Sequence, residues 1–204
     1  VNDSSLAVIQ NIIKELDNYV EEGSLVAILT DNENMADEIK SVTEHIKNQK
    51  IKVAKGDFTK RATLDTLKVE NFNHIIILSD RNTDVQESDA KTLICLLHLR
   101  NIAQQFKKSF SIVSEMLDVK NKTLAEITKA DDFIVSDKIT SLQISQLSEN
   151  KHLKSVFDDI FDADGSEIYL KPIGNYIKTG EDVNFYTILE SAAQKKEVAI
   201  GYRL

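Results

Sequence analysis

Leu6, Val8, Ile9, Ile12, Ile13, Leu16, Tyr19 and Val20 recur at spacings of three and four, which predicts an amphipathic helix over Leu6–Val20 with Ser4 or Ser5 placed to cap its start. Gly23 stops it. Leu25–Leu29 is an uninterrupted apolar run ending in Thr30 and Asp31, the pattern of a strand covered on both faces. The alternation then repeats: a helix over Met35–Asn48, a strand over Ile51–Ala54 closed by Gly56 and Asp57, and a short helix over Thr59–Leu67. A fully buried strand over His74–Leu78 follows, closed by Ser79 and Asp80. A long helix spans Glu87–Phe106, with Ala90, Leu93, Ile94, Leu97, Ile102 and Ala103 along one side. Strands over Phe110–Val113 and Phe133–Val135 follow, with helices near Lys120–Lys129 and Thr140–Ser148.

Strands and helices taking turns with short links predict parallel strands joined by helical crossovers. The fold class expected is therefore α/β, a Rossmann-like doubly wound, mostly parallel sheet. Residues 1–150 form one expected domain. After Asn150 the texture changes, because the only proline, Pro172, and four of the six glycines fall there. Val156–Phe161 mixes apolar and acidic residues and Asp162–Glu167 reads as a turn. Ile168–Pro172, Phe185–Leu189 and Val198–Tyr202 read as strands, or as a strand with a short helix. Residues 151–204 are thus expected to form a small α+β C-terminal lobe.

The alternation opens in a helix, whereas a doubly wound half opens with a strand at the middle of its sheet. That first strand is expected upstream of Val1. Its neighbours, at Leu25 and His74, would otherwise carry unpaired backbone groups, each costing roughly 1–3 kcal/mol, so something is expected to fill the slot. The candidates are another part of the chain, a second copy, or a closing-up of the two strands.

Charge and cysteine content narrow the partners. Lys and Arg number 25 against 33 Asp and Glu, a formal net charge of -8, which removes the phosphate attraction that supplies most non-specific nucleic-acid affinity. Cys95, the single cysteine, lies among leucines and has no partner for a disulfide or thiolate zinc site, so it reads as an inert core residue of a reducing compartment. His45, His74, His98 and His152 are scattered, no G-x-S-x-G elbow occurs, and Lys107-Lys108 is too short for a phosphate patch. No run approaches the roughly 18 apolar residues of a membrane-spanning helix, so the chain itself is expected to be soluble.

Ligands of doubly wound sheets lie beyond the carboxyl ends of the strands. Asp31, Gly56, Asp57, Ser79 and Asp80 occupy three such ends and are the candidate cofactor-binding residues. An Asp in that place equally caps the following helix. The G-x-G-x-x-G turn that grips a pyrophosphate is missing, since no glycine precedes Gly23. Asp158, Asp159, Asp162, Asp164 and Glu167 gather carboxylates around Gly165 and are the candidate metal ligands, calcium being the cation such oxygens suit. Their spacing falls short of a twelve-residue calcium loop, and a solvated acidic turn is the plain alternative.

Several blocks together resemble one family: Gly56-Asp57 with Arg61-Ala62-Thr63-Leu64; His74-Ile-Ile-Ile-Leu-Ser-Asp80; Asp89-Ala90-Lys91-Thr92-Leu93 running to Leu97-His98-Leu99-Arg100; and Ser111-Ile-Val-Ser-Glu-Met116. Further on come Ala130-Asp-Asp-Phe-Ile-Val-Ser136, Gln146-Leu-Ser-Glu-Asn150, Gly165-Ser-Glu-Ile-Tyr169, Asn184-Phe-Tyr186 and Ala199-Ile-Gly-Tyr-Arg203. They are similar to the cytosolic region of CASTOR/POLLUX-type ion channels, whose soluble part contains domains like the regulators of potassium conductance, or RCK domains. The resemblance implies a Rossmann-like lobe and a smaller lobe on the cytoplasmic side of a membrane, below a tetrameric pore formed by the same protein. It also implies a homo-oligomer, lobes pairing and assembling into a ring whose ligand state gates the channel.

Members of the wider group bind nucleotides or calcium, so NAD, another nucleotide or calcium are the cofactors to expect. The chain departs from the family pattern where a strand and a Gly-containing turn should precede the helix at Ile12–Val20; Val1–Ser5 do not supply them. It reads as an excised regulatory fragment. A ligand-responsive gating domain, no enzyme, is the first functional expectation, since regulation needs differential binding and no bond-making group. An NAD-dependent oxidoreductase on the same fold would need the glycine turn and a proton donor. A ligand-free assembly module is the third reading.

Overall fold

A computed structural model of the chain describes residues 6–31, 39, 46–121, 132–162, 164–180 and 182–203. In chain order these form α1 (Leu6–Tyr19), β1 (Ser24–Thr30), β2 (Gln49–Lys55), α2 (Arg61–Leu67), β3 (His74–Ile77), α3 (Val85–Phe106), β4 (Ser111–Met116) and β5 (Asp132–Val135). Then follow α4 (Ser136–Glu149), α5 (Leu153–Phe161) and α6 (Phe185–Gln194). Most of the helix expected from Met35 and most of that expected from Lys120 lie outside the described residues.

α1 forms because its apolar stripe recurs every three or four residues, and it buries Ile9 and Ile13. Gly23, at φ +87°, turns the chain into β1 through a conformation that favours glycine. The far end of α1 is fastened to the entrance of β2: the Asp17 carboxylate accepts from the backbone N–H groups of Lys47 and Asn48, both at 2.9 Å, and Gln49 Nε2 donates to the Ile13 carbonyl. β1 and β2 are parallel, from Ser24 opposite Gln49 to Thr30 opposite Lys55. Exposed Lys50, Lys52 and Lys55 line β2, the composition that protects a sheet edge from stray pairing.

β3, β4 and β5 form a second parallel sheet in that order. Among the described residues no backbone ladder joins β1 to β3; the break falls where the sequence predicts a further strand. Side chains nevertheless put the two sheets between the same two apolar layers. Ile28 packs with Ile9, Ile13 and Ile39, whereas its neighbour Leu29 belongs to the cluster of Leu64, Ile77, Leu96, Leu99 and Ile112. Ile77 and Leu78 divide in the same way, Leu78 packing on the Ile28 side. Successive strand residues point to opposite faces, so this division means that the ends of β1, at Ile28–Thr30, and of β3 are covered on both.

α3 supplies most of the second layer. Its cap is Asp84, whose side chain accepts from Gln86 N–H, and it ends at Lys107 in the left-handed region, at φ 51°. Cys95, Leu96, Leu99 and Ile102 are all buried. Leu96 is fully buried and so tightly surrounded that Leu96→Ala is expected to cost about 2–5 kcal/mol. Ile94→Ala, on the exposed face of the same helix, should stay within about 0.5 kcal/mol; urea unfolding of the two variants checks the contrast.

The chain divides into two compact units, Val1–Phe157 and Asp158–Leu204. Within the second, α6 is capped by Asn184, which accepts from Thr187 N–H, and buries Ala192. Ser191 Oγ donates to the Tyr176 carbonyl at 2.6 Å and the Tyr176 hydroxyl donates to Glu197. Phe185–Leu189 is therefore the start of the short helix rather than a strand. Ile168–Pro172 and Val198–Tyr202 have no ladder partner among the described residues, and a lone strand cannot satisfy its backbone.

Candidate functional site

Parallel strands bring all their carboxyl ends to one edge, so the residues after β1, β2, β3 and β4 share a rim. After β1 stands Asp31, exposed. After β2, Gly56 N–H donates to the Thr30 carbonyl at 2.9 Å, and a Cβ at Gly56 would lie 2.6 Å from Thr63 Cγ2. Glycine is thus fixed by the approach of α2. Asp57 accepts from Thr59 N–H at 2.9 Å and from the Thr59 hydroxyl at 2.6 Å, with Lys60 Nζ at 3.4 Å. These contacts, the Thr59 hydroxyl first, hold its carboxyl below the usual carboxylate range. Asp57 therefore closes the turn into α2.

After β3, the Asp80 N–H donates to Ser88 Oγ at 2.9 Å and its carboxylate accepts from Asn82 N–H at 2.8 Å; the residue is 2% exposed. Ser79 ties this turn to β4, its hydroxyl donating to the Glu115 carbonyl at 2.9 Å and its N–H to Glu115 Oε2 at 3.0 Å. The Glu115 side chain, 12% exposed, also accepts from Arg81 at 2.9 Å and from the Ser136 hydroxyl. One carboxylate thereby joins the exits of β3, β4 and β5. Burial raises its pKa, but the donors from Ser136, Arg81 and Ser79 outweigh that and leave it below the ordinary glutamate value.

Two residues of α3 complete the rim. Asp89, 1% exposed, accepts from the N–H groups of Leu117 and Asp118 at 2.9 and 3.0 Å and from Asn121 Nδ2 at 2.8 Å, pinning the segment after β4. Lys91 pairs with Glu87 at 2.8 Å. Its pKa is raised, first by the Glu87 bond and, to a smaller extent, by the charges of Asp80 and Asp31. Asp31 stands after β1 and Asp80 after β3, and Lys91 lies in the second turn of α3, which follows β3. Asp57 is engaged elsewhere.

Sequence reasoning named Asp31, Gly56, Asp57, Ser79 and Asp80 but missed Glu115, Asp89 and Lys91. One signal was available: Asp89, Thr92, Leu96 and Leu99 fall on one helical stripe, which places polar residues within a buried face. Glu115 gave none, since a single acid within Ser111–Met116 looks like an outward strand position. Among the described residues no three His, Cys, Asp or Glu side chains gather as a metal ion would require; in the acidic run, Asp162 accepts from Asp164 N–H. Cys95 is buried, and desolvation pushes its thiol up to about 12. His98 Nε2 lies 3.0 Å from the Thr59 carbonyl, a contact between α3 and the turn before α2.

As a nucleotide site the rim offers carboxylate acceptors suited to ribose hydroxyls and one lysine suited to phosphate, but among the described residues no glycine turn for the pyrophosphate. The fold itself is Rossmann-like. A solved structure of the NAD(P)-binding domain of an exopolyphosphatase-related protein from Archaeoglobus fulgidus superimposes with a TM-score of 0.51 over 73% of this chain and 96% of that one, at 15% identity. A family model described as the calcium-activated potassium channel slowpoke-like RCK domain matches residues 1–114, and the chain belongs to that family.

Its relatives narrow the type. It is 25% identical to the probable ion channel CASTOR of Oryza sativa subsp. japonica, over 96% of this chain and 26% of that protein. It is 28% identical to the ion channel CASTOR of Lotus japonicus, over 73% and 21%. With the calcium-gated potassium channel TvoK of Thermoplasma volcanium it shares 28% identity over 72% and 39%. The region is a CASTOR/POLLUX-type RCK region and spans about a quarter of the length of the CASTOR relatives.

Two outcomes follow from the rim. Gly56→Ala should destabilise the chain by about 1–3 kcal/mol through the clash with Thr63 Cγ2, and Thr63→Ser, which lacks that methyl, should recover part of the loss in the double variant. Equal losses with and without Thr63→Ser would contradict the contact. For Glu115, the folded pKa is below the unfolded one, so its stabilisation is complete above the ordinary glutamate value of 4.5 and is lost as pH falls through the lower folded value. Acid titration of the melting temperature should therefore show a shallower fall below that point in Glu115→Gln than in the parent chain.

Proposed function

We propose that the chain is the cytoplasmic sensing region of an ion channel, and that a nucleotide or a divalent cation in the crevice of Asp31, Asp80 and Lys91 shifts the equilibrium between two arrangements of assembled copies. The observation that carries this reading is the placement of the acids Asp31 and Asp80 immediately after β1 and shortly after β3, with Lys91 in the second turn of the following helix α3. Ion-channel function is supported by the relatives' names, and cation control by the description of the family model and the name of the Thermoplasma volcanium channel. Among the described residues no helix is long and apolar enough to cross a membrane, so the pore is assigned to other parts of the same protein.

No step of this work needs a bond made or broken, and the proposed role is regulation without turnover. A ligand gates by binding one conformation better than another, and a typical coupling of about 1–3 kcal/mol suffices. The crevice suits that demand because it lies between segments whose backbones no ladder joins among the described residues. Charge closing around a ligand there changes how the β1–β2 pair meets the β3–β4–β5 sheet.

Thermal unfolding with NAD, ATP, AMP, calcium and magnesium added one at a time tests the reading. At least one should raise the melting temperature in proportion to the logarithm of its concentration above its Kd, and Lys91→Met or Asp31→Asn should abolish that rise with little change in the unliganded value. A chain indifferent to all five would be an assembly module without a ligand. Hydride exchange with a pyridine coenzyme would overturn the regulatory role.

A further inference from the structure

Val198–Tyr202 has the composition of a strand yet has no ladder among the described residues. Burial alternates along it. Glu197 and Ala199 are half-buried, whereas Val198, Ile200 and Tyr202 are 84%, 74% and 68% exposed. Both ends are fastened to the rest of the C-terminal unit. The Glu197 carboxylate accepts from Lys171 Nζ at 2.7 Å and from the Tyr176 hydroxyl, and the Tyr202 ring lies 6.2 Å from that of Phe185. Three large apolar side chains at every second position, with no charge between Glu197 and Arg203, are what solvent-facing edge strands avoid. β2 of this same chain carries lysines instead.

The heptapeptide Glu197-Val-Ala-Ile-Gly-Tyr-Arg203 is also chemically symmetrical about its centre. Laid antiparallel on itself, it sets Glu197 opposite Arg203, Val198 opposite Tyr202, Ala199 opposite Gly201 and Ile200 opposite Ile200. An acid meets a base at each end, small residues meet small ones on one face, and the large ones meet on the other. A slip by one residue would destroy every one of these matches.

We propose that this segment pairs antiparallel, in that register, with the same segment of a second copy of the chain, about a twofold axis through Ile200. The second copy is the occupant because a twofold contact must be complementary to itself, and here charge and size both are. Cross-strand pairs of opposite charge and of aromatic with β-branched residues are the pairs that stabilise a sheet, and each occurs twice. Arg203 of each copy would join the other copy's Glu197 on the face where Lys171 already lies. The proposal rests on the assembly part of the function proposed above and names the surface that part requires.

Cross-linking and sedimentation of the whole 204-residue chain test it. Directly opposed residues of an antiparallel pair have Cα atoms about 4.5–5.5 Å apart, within disulfide range, so Ile200→Cys should oxidise to a covalent dimer. Tyr186→Cys, 79% exposed in the same unit, should do so at least about tenfold more slowly, the difference between a held pair and a random encounter. Ile200→Lys should shift the chain to monomer with its circular dichroism unchanged, since the replaced side chain is mostly exposed.

Arg203→Glu turns two opposite-charge pairs into two like-charge pairs and should weaken self-association by about tenfold or more. If copies associate but Ile200→Cys cross-links no faster than Tyr186→Cys, or Ile200→Lys leaves the dimer intact, the pairing is wrong while assembly stands. A parent chain that stays monomeric at every concentration reached would overturn both.

Discussion

Burial of parallel strands on both faces is the constraint from which the larger unit follows. Ile28 and Leu29 are adjacent in the chain yet belong to different apolar clusters, and Ile77 and Leu78 separate in the same way. Strand ends so covered cannot carry charge, which is why β1 and β3 close on apolar residues, Ile28-Leu29 and Ile77-Leu78. Polar chemistry is thereby displaced beyond those ends. The rim of Asp31, Ser79, Asp80, Glu115 and Asp89 is polar because the layers beneath it exclude water.

Within that rim the carboxylates do different work, and their partners tell them apart. Asp57 and Asp89 spend their oxygens on nearby N–H groups and hold turns. Glu115, on β4, spends its oxygens on three donors from the exits of β3 and β5 and holds the rim together. Asp31 is exposed and, with Asp80, acts on Lys91 through charge. A regulatory ligand needs groups whose interactions can change, and exposed Asp31 and partly exposed Lys91 meet that need better than the turn-holding acids do. The chain belongs to the slowpoke-like RCK family, and in the proposed role occupancy of such a site is converted into movement.

Much of this was legible from the residues. Apolar runs located β1, β3 and β4, and three- and four-residue spacing located α1 and α3 to within two residues of their starts. Gly56 could be singled out from its place after a strand, although its reason, the nearness of Thr63, is a tertiary fact. Glu115 and Lys91 could not, because their roles come from residues that sequence places far away: Ser79, Arg81 and Ser136 for one, Asp31 and Asp80 for the other. In the C-terminal unit the residues left open a strand or a short helix, and at Phe185–Leu189 the helix forms, capped by Asn184. At Val198–Tyr202 the residues have the pattern of a strand, but no ladder forms there among the described residues.

The central claim is that a ligand enters where β1 and β3 end. Backbone amide chemical-shift mapping of the isotopically labelled chain during titration with nucleotides and divalent cations tests it most directly. The expected result is a saturable set of shifts confined to Asp31, Ser79–Asn82 and the first turns of α3 around Glu87–Lys91. Shifts confined to Asp158–Glu167, or none with any of these ligands, would contradict it.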